Sequence, residues 1–167
     1  ADELVGPDSA TTWLLDAAGT GASDDGTFSG VERVTGGSSD DTFVVLDASA
    51  STAVEGGGGS DALAAADGDN TWVISGEDAG TLNTLSFSGM ENLTGGAGND
   101  TFIFAGGSIS GTIDGGAGVN SFDYSSRTNA VTIDLEAGAA SGVAAMVNVT
   151  RVVGGAGSDT LVGRDED

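Results

Sequence analysis

The chain contains no cysteine and no histidine, only one proline, and only four basic residues, all of them arginine. Without cysteine it cannot form a disulfide framework. Without histidine it lacks the commonest general base and transition-metal ligand, so any bound metal must be a hard cation held by oxygen. No hydrophobic run approaches the roughly 20 residues of a membrane span, and we expect no membrane insertion.

Acidic residues outnumber basic ones by 26 to four, which gives a formal net charge of −22. A surface so charged repels nucleic acid and anionic membranes, so a nucleic-acid partner is not expected. Two explanations of the acidity stay open. It keeps an extracellular surface soluble, or divalent cations neutralise some of the carboxylates.

Glycine is abundant, with 30 residues, and related Gly-Gly turns recur at fixed intervals. These turns begin at residues 36, 56, 95, 115 and 154, with spacings of 20, 39, 20 and 39 residues. The resulting 59-residue period needs no gaps, and it superimposes Trp13 on Trp72 and Phe43 on Phe102. Since 39 is close to twice 20, the pattern predicts coils of roughly 20 residues, three in each 59-residue super-repeat and about eight in the chain.

Apolar residues alternate within each predicted coil, as Phe43 and Val45 or Phe102 and Phe104 illustrate. A period of two predicts short strands with one face inward, whereas the frequent glycines argue against helices. We therefore predict an all-β fold, a parallel β-solenoid that resembles a β-roll, in which coils bury their apolar faces against their neighbours. An immunoglobulin-like sandwich is the alternative, but it would not explain the period.

The domain prediction is one solenoid over residues 1–167. The repeat register places both ends of the sequence inside repeats. We therefore expect the chain to be a segment of a longer repeat protein.

The five glycine turns read GGSSDDTF, GGGGSDAL, GGAGNDTF, GGAGVNSF and GGAGSDTL. Their pattern, G-G-x-G-x-D followed by a large apolar residue two positions later, resembles the RTX (repeats-in-toxin) calcium-binding β-roll. Longer phrases such as FSGMENLTGGAGNDTFIF resemble repeats of large secreted bacterial surface proteins, the filamentous-haemagglutinin-like and RTX adhesins. The resemblance implies a secreted or cell-surface protein.

The resemblance also implies calcium, held by backbone carbonyls and motif aspartates of two turns that are one coil apart. Asp41 with Asp61 is the first candidate pair, and Asp100 with Asn120 is the second, because Asn120 replaces one carboxylate. Asp159 has no partner turn within the chain unless Asp165 or Asp167 begins one. The complete set of candidate metal residues is Gly36, Gly37, Asp41, Gly56, Gly57, Asp61, Gly95, Gly96, Asp100, Gly115, Gly116, Asn120 and Asp159. The alternative is that each Asp only accepts hydrogen bonds from the turn backbone.

Two other features have simpler interpretations. The stretch ADGDN, residues 66–70, resembles an oxygen-rich metal loop, but its repeat equivalents carry different residues, so we interpret it as a solvated turn. Trp13 and Trp72 occupy equivalent alternating positions, so we predict that both lie in the core.

Catalysis is not expected, because the chain offers only carboxylates, hydroxyls, one tyrosine and scattered arginines. The first functional hypothesis is an extracellular, calcium-stabilised structural module, a rigid stalk or self-assembling scaffold. It would associate end to end or laterally with neighbouring repeats or other copies. The alternative is an adhesin-type binding module that recognises a glycan or surface receptor. It would use loops of the motif-free coils, such as residues 75–84 and 136–144.

Overall fold

The computed structural model describes residues 2–165, in which the regular secondary structure is β-strand apart from one short 3₁₀ helix, Ala17–Gly19. The all-β prediction is confirmed. In chain order the strands are β1 (Glu3–Val5), β2 (Thr12–Leu15), β3 (Gly21–Ser23), β4 (Gly26–Phe28), β5 (Arg33–Gly37), β6 (Thr42–Val45), β7 (Ala53–Gly57), β8 (Ala62–Ala64), β9 (Thr71–Gly76), β10 (Ala79–Leu82), β11 (Leu85–Ser88), β12 (Asn92–Thr94), β13 (Thr101–Phe104), β14 (Ile109–Asp114), β15 (Asn120–Asp123), β16 (Thr132–Asp134), β17 (Ala139–Ala140), β18 (Val143–Val147), β19 (Val149–Val153) and β20 (Thr160–Val162).

The strands form two large, mostly parallel sheets. The first sheet has nine strands in the order β1-β5-β7-β11-β10-β9-β13-β15-β19. The second sheet has eleven, in the order β20-β16-β17-β18-β14-β12-β8-β6-β2-β3-β4. Among the described residues, the antiparallel pairs are confined to three meanders, β2-β3-β4, β9-β10-β11 and β16-β17-β18.

These meanders change the spacing that the glycine turns predict. Parallel partners such as Val34 and Val54 lie 20 residues apart, as predicted. Others, such as Trp13 and Phe43, lie 30 residues apart. The difference arises because a part of each repeat without the glycine motif forms two additional antiparallel strands. These strands lie in the same sheet, and the chain crosses to the other sheet only after them.

The 59-residue period places equivalent strands in alternate sheets. Each repeat contains one meander and crosses between the sheets five times, and an odd number of crossings ends on the opposite sheet. Consequently Trp13 lies in the second sheet, whereas its equivalent Trp72 lies in the first.

The core lies between the sheets and contains stacked aromatic rings. Trp13 stacks on Phe43 with a centroid separation of 6.1 Å, and Trp72 stacks on Phe102 at 5.5 Å. Both tryptophans are buried, so their predicted core positions are confirmed. In-register parallel pairing explains the stacks, because it places equivalent side chains of neighbouring strands about 4.8 Å apart.

Parallel pairing also decides where the glycine turns lie. The turns that begin at Gly36, Gly56 and Gly154 carry the chain from the first sheet to the second, at what we term the first edge. The turns that begin at Gly95 and Gly115 carry it back, at the second edge. The two predicted aspartate pairs are therefore on opposite edges of the molecule.

Candidate functional site

The glycine turns on each edge stack directly on one another. On the first edge, the Gly58 N–H donates to the Gly37 carbonyl at 2.9 Å. The Asp41 N–H donates to Asp61 Oδ1 at 2.7 Å. The structure therefore brings together the first predicted pair, Asp41 and Asp61.

The second edge repeats this arrangement with the second pair. The Ala117 N–H donates to the Gly96 carbonyl at 3.0 Å. The Asp100 N–H donates to Asn120 Oδ1 at 2.9 Å. Asp100 and Asn120 are thus also in contact, as their 20-residue spacing predicts.

One oxygen of each motif side chain belongs to a ladder that runs from turn to turn. Asp41 Oδ1 accepts the Thr11 N–H at 2.8 Å, and Asp100 Oδ1 accepts the Asn70 N–H at 2.8 Å. Asp159 Oδ1 accepts the Val131 N–H at 3.0 Å, from a turn without the glycine motif. We call this series of contacts the turn ladder. For these oxygens the geometry agrees with the alternative to metal binding, in which the aspartate accepts a hydrogen bond from a turn backbone. The donor, however, lies in the neighbouring turn and not in the aspartate's own turn.

The second oxygen has no such partner in three of the aspartates. Asp41, Asp61 and Asp100 are each at most 1% exposed, and the Oδ2 atom of each is buried without a hydrogen bond. A buried polar atom without a partner costs about 1–3 kcal/mol, and more when it is charged. A positive charge close to these Oδ2 atoms would remove that free-energy cost.

The surroundings of these Oδ2 atoms are themselves negative. A Cβ built on Gly95 would lie 2.5 Å from Asp100 Oδ2 and 2.5 Å from the Gly115 carbonyl oxygen. A Cβ on Gly36 would overlap Asp41 Oδ2 and the Gly56 carbonyl oxygen in the same way. Each carboxyl oxygen is therefore near another acceptor, beside the first glycine of its own turn.

Asn120 shows which group this environment suits. Asn120 Nδ2 donates to the Asn148 carbonyl at 3.0 Å and to the Gly116 and Ala117 carbonyls at 3.3 Å. An amide nitrogen thus occupies the region that Oδ2 occupies in the aspartate turns. The turn interior is a cluster of carbonyl oxygens suited to an amide NH₂, a protonated carboxyl or a cation.

Burial also changes the acidity of these carboxyls. It raises the pKa of Asp41 and of Asp100 above the ordinary value. Burial raises the pKa of Asp61 to about 6, against the hydrogen bond from the Asp41 N–H, and the nearby charge of Glu91 acts in the same direction as burial. Folding therefore disfavours the charged form of each group in the absence of a counter-charge.

The donor set fits a hard cation. Calcium takes six to eight oxygen ligands, and both carboxylates and backbone carbonyls serve. The buried Oδ2 atoms and adjoining carbonyls are oxygens of this kind. Within residues 2–165 no three acidic side chains converge on one point, so carbonyls or water would have to supply most of the ligands.

The predicted glycines serve two distinct purposes. Gly36, Gly56, Gly95 and Gly115 begin the turns, and a side chain on any of them would displace the motif residue or the next turn's backbone. The second glycines, Gly37, Gly57, Gly96 and Gly116, have φ angles of 143°, 101°, 94° and 75°. Residues with a Cβ rarely adopt such positive φ angles.

Sequence analysis missed two buried or partly buried contributors to the turn ladder, Asn70 on the second edge and Glu91 on the first. Asn70 is only 3% exposed, and its Nδ2 donates to the Gly68 carbonyl at 2.8 Å and to the Gly95 carbonyl at 3.0 Å. The solvated-turn interpretation of residues 66–70 is therefore wrong for Asn70. On the first edge, Glu91 Oε2 accepts the Asp61 N–H at 2.7 Å. The signal was a 30-residue offset, since Asn70 precedes Asp100 and Glu91 follows Asp61 by that distance.

The two segments predicted as recognition loops differ in the structure. Residues 75–84 are mostly strand, since they contain β10 and the end of β9, and Leu82 is buried in the core. The loop assignment was wrong for that segment. Residues 136–144 contain β17 and the start of β18, but turns make up the rest of the segment and none of its residues is fully buried.

The space at the first glycine gives a direct prediction. Gly36→Ala should destabilise the fold by about 1–3 kcal/mol or more, because the new Cβ would overlap Asp41 Oδ2 and the Gly56 carbonyl. Gly58→Ala is the matched control, since its Cβ would be 3.6 Å from the nearest atom, at ordinary contact distance. Urea unfolding measures both, and equal stability of the two variants would contradict the packing.

The raised pKa of Asp61 predicts a pH dependence in EDTA. The folded state holds this proton up to about pH 6, whereas an unfolded aspartate loses it near pH 4, so Asp61 reduces stability as pH rises through that interval. Asp61→Asn keeps the oxygen that accepts the Asp41 N–H and adds a donor. The variant should gain stability relative to the wild type between pH 4 and 7, measured by urea unfolding. A difference independent of pH would contradict this assignment.

Comparison with family models, curated proteins and solved structures finds no match to the chain. Within residues 2–165 there is also no helix long and apolar enough to span a membrane. Evidence on function therefore comes from the geometry of the two sheets and their stacked turns.

Proposed function

We propose that this protein is a structural module, a parallel β-solenoid of the RTX-like type. In this proposal it acts as a rigid stalk or self-assembling scaffold of a secreted or cell-surface protein. The principal support is the turn ladder, in which the buried side chain of one turn accepts a hydrogen bond from the backbone of the turn beside it.

This dependence of each turn on its neighbour suits a load-bearing element. In repeat proteins each unit contacts only its neighbours, so stability accumulates along the stacking axis. Here the ladder adds polar contacts at both edges to the apolar stacking between the sheets. A stack held both at its core and at its edges resists bending and shear, which is what a stalk or scaffold requires.

The distribution of aromatic residues favours this function over glycan recognition. All nine aromatic side chains lie within the described residues, and eight are buried while Phe28 is partly buried. A protein that stacks sugars on aromatic rings needs at least one ring facing solvent. The aromatic residues of this chain are instead used for core packing.

Calcium is the proposed counter-charge of the turns. Asp41, Asp61 and the adjoining turn carbonyls would hold it on the first edge, and its positive charge would offset the repulsion between buried oxygens. The Asp100 and Asn120 pair would bind more weakly, because the Asn120 amide already donates to the carbonyls of its turn. Asp159 has a half-buried side chain and no second glycine turn beside it, so we rank it last.

An exposed apolar residue in the last strand of the second sheet supports the proposed association with further repeats or other copies. Leu161, in the terminal strand β20, is 54% exposed, although its repeat equivalents Phe43 and Phe102 are completely buried. The strand that covers Phe43 is β8, in parallel register. A strand of the same repeat type would cover Leu161 in the same way.

Thermal unfolding tests the calcium-stabilised structural role. The midpoint at neutral pH should rise in millimolar calcium relative to EDTA, because an ion bound only by the folded state stabilises it. The Asp41→Asn/Asp61→Asn double variant should lose most of this rise while remaining folded, since asparagine can keep the turn ladder.

Asp100→Asn is the matched single-site control on the second edge and should keep most of the calcium response. A wild-type midpoint that is the same in calcium and in EDTA would contradict the calcium role. A loss of sheet signal on removal of calcium alone would instead show that the ion is required for folding, beyond the stabilisation proposed here.

A further inference from the structure

We infer that Glu91 completes a divalent-cation site with Asp61, in a part of the repeat that lacks the glycine motif. This inference rests on the proposed calcium role and adds a ligand to it. The site lies on the first edge, between the turn of residues 56–61 and the segment of residues 89–91. Its oxygens are the carboxylates of Asp61 and Glu91 and the carbonyl of Gly89.

The first support is that Glu91 takes the place of a motif aspartate. Its Oε2 accepts the Asp61 N–H at 2.7 Å, just as Asp61 Oδ1 accepts the Asp41 N–H at 2.7 Å. The strand that follows Glu91 continues the same stack, because Asn92 pairs in parallel register with Ala62. Glu91 is therefore the third carboxylate of one row, after Asp41 and Asp61.

The second support is the buried oxygen that faces this site. Asp61 is completely buried, and its Oδ2 atom has no hydrogen-bond partner. A Cβ built on Gly56 would overlap both this Oδ2 atom and the Gly89 carbonyl oxygen. The same construction on Gly36 meets Asp41 Oδ2 and the Gly56 carbonyl oxygen. The segment with Gly89 and Glu91 thus reproduces the oxygen arrangement of a glycine turn.

The charges favour a divalent ion here over the second edge. Asp61 and Glu91 together supply two carboxylates, whereas Asp100 is followed by the neutral Asn120, whose amide donates to the turn carbonyls. Two carboxylates with carbonyl and water oxygens form a donor set typical of calcium. Glu91 is only partly buried, so water and an entering ion can reach its carboxylate.

Glu91→Gln tests this site in the complete chain. The glutamine oxygen can still accept the Asp61 N–H, so the turn ladder should persist while one negative ligand is lost. Calcium titration by calorimetry at neutral pH should show about tenfold weaker binding, or more, at one site of the variant. Glu136→Gln is the matched control, since Glu136 is an exposed glutamate in the third meander and its removal changes net charge equally.

The outcomes separate this inference from the proposed function. Weaker binding in Glu91→Gln, with Glu136→Gln unchanged and both circular dichroism spectra like the wild type, supports the site. Wild-type affinity in Glu91→Gln, together with weaker binding in Asp61→Asn, overturns the role of Glu91 and leaves the calcium role of the turns intact. Absence of calcium binding by the wild type overturns both.

Discussion

The hydrogen bond from the backbone of one turn to the buried side chain of the next is the interaction on which the rest of the structure depends. It links Thr11 to Asp41 and Asp41 to Asp61 on the first edge, and Asn70 to Asp100 on the second. For this contact the turns must stack closely, which leaves no space for a side chain on the first glycine. The same close stacking keeps the strands in parallel register and places aromatic rings against one another in the core.

This interaction also creates the electrostatic problem that the protein has to solve. An aspartate in the ladder uses one oxygen as an acceptor and leaves the other buried beside a carbonyl oxygen. Asparagine avoids the problem at positions 70 and 120 because its amide donates to the carbonyls. The chain nevertheless retains three buried aspartates among the described residues, and the proposed cation would neutralise those carboxylates at neutral pH, which an asparagine would not need.

The sequence alone predicted the strands and the buried tryptophans, because the alternation of apolar residues reflects burial directly. It also predicted the contacts within both residue pairs, because turns 20 residues apart stack on one another. It was not sufficient for the meanders, since a period of two is the same for parallel and antiparallel strands. The placement of the two pairs on opposite edges follows from an odd number of sheet crossings, which requires every strand to be known. Glu91 was missed because no glycine pair precedes it. Asn70 was missed because the stretch ADGDN as a whole differs from its repeat equivalents, although Asn129 stands at the position equivalent to Asn70.

Native-state hydrogen exchange of individual turn amides tests the turn ladder most directly. The account predicts that the main-chain N–H groups of Thr11, Asp41, Asn70 and Asp100 exchange as slowly as core strand amides, in EDTA as well as in calcium, because each donates to a buried side chain. Exchange of these four amides at the rate of exposed turn amides, while the strands remain protected, would contradict it.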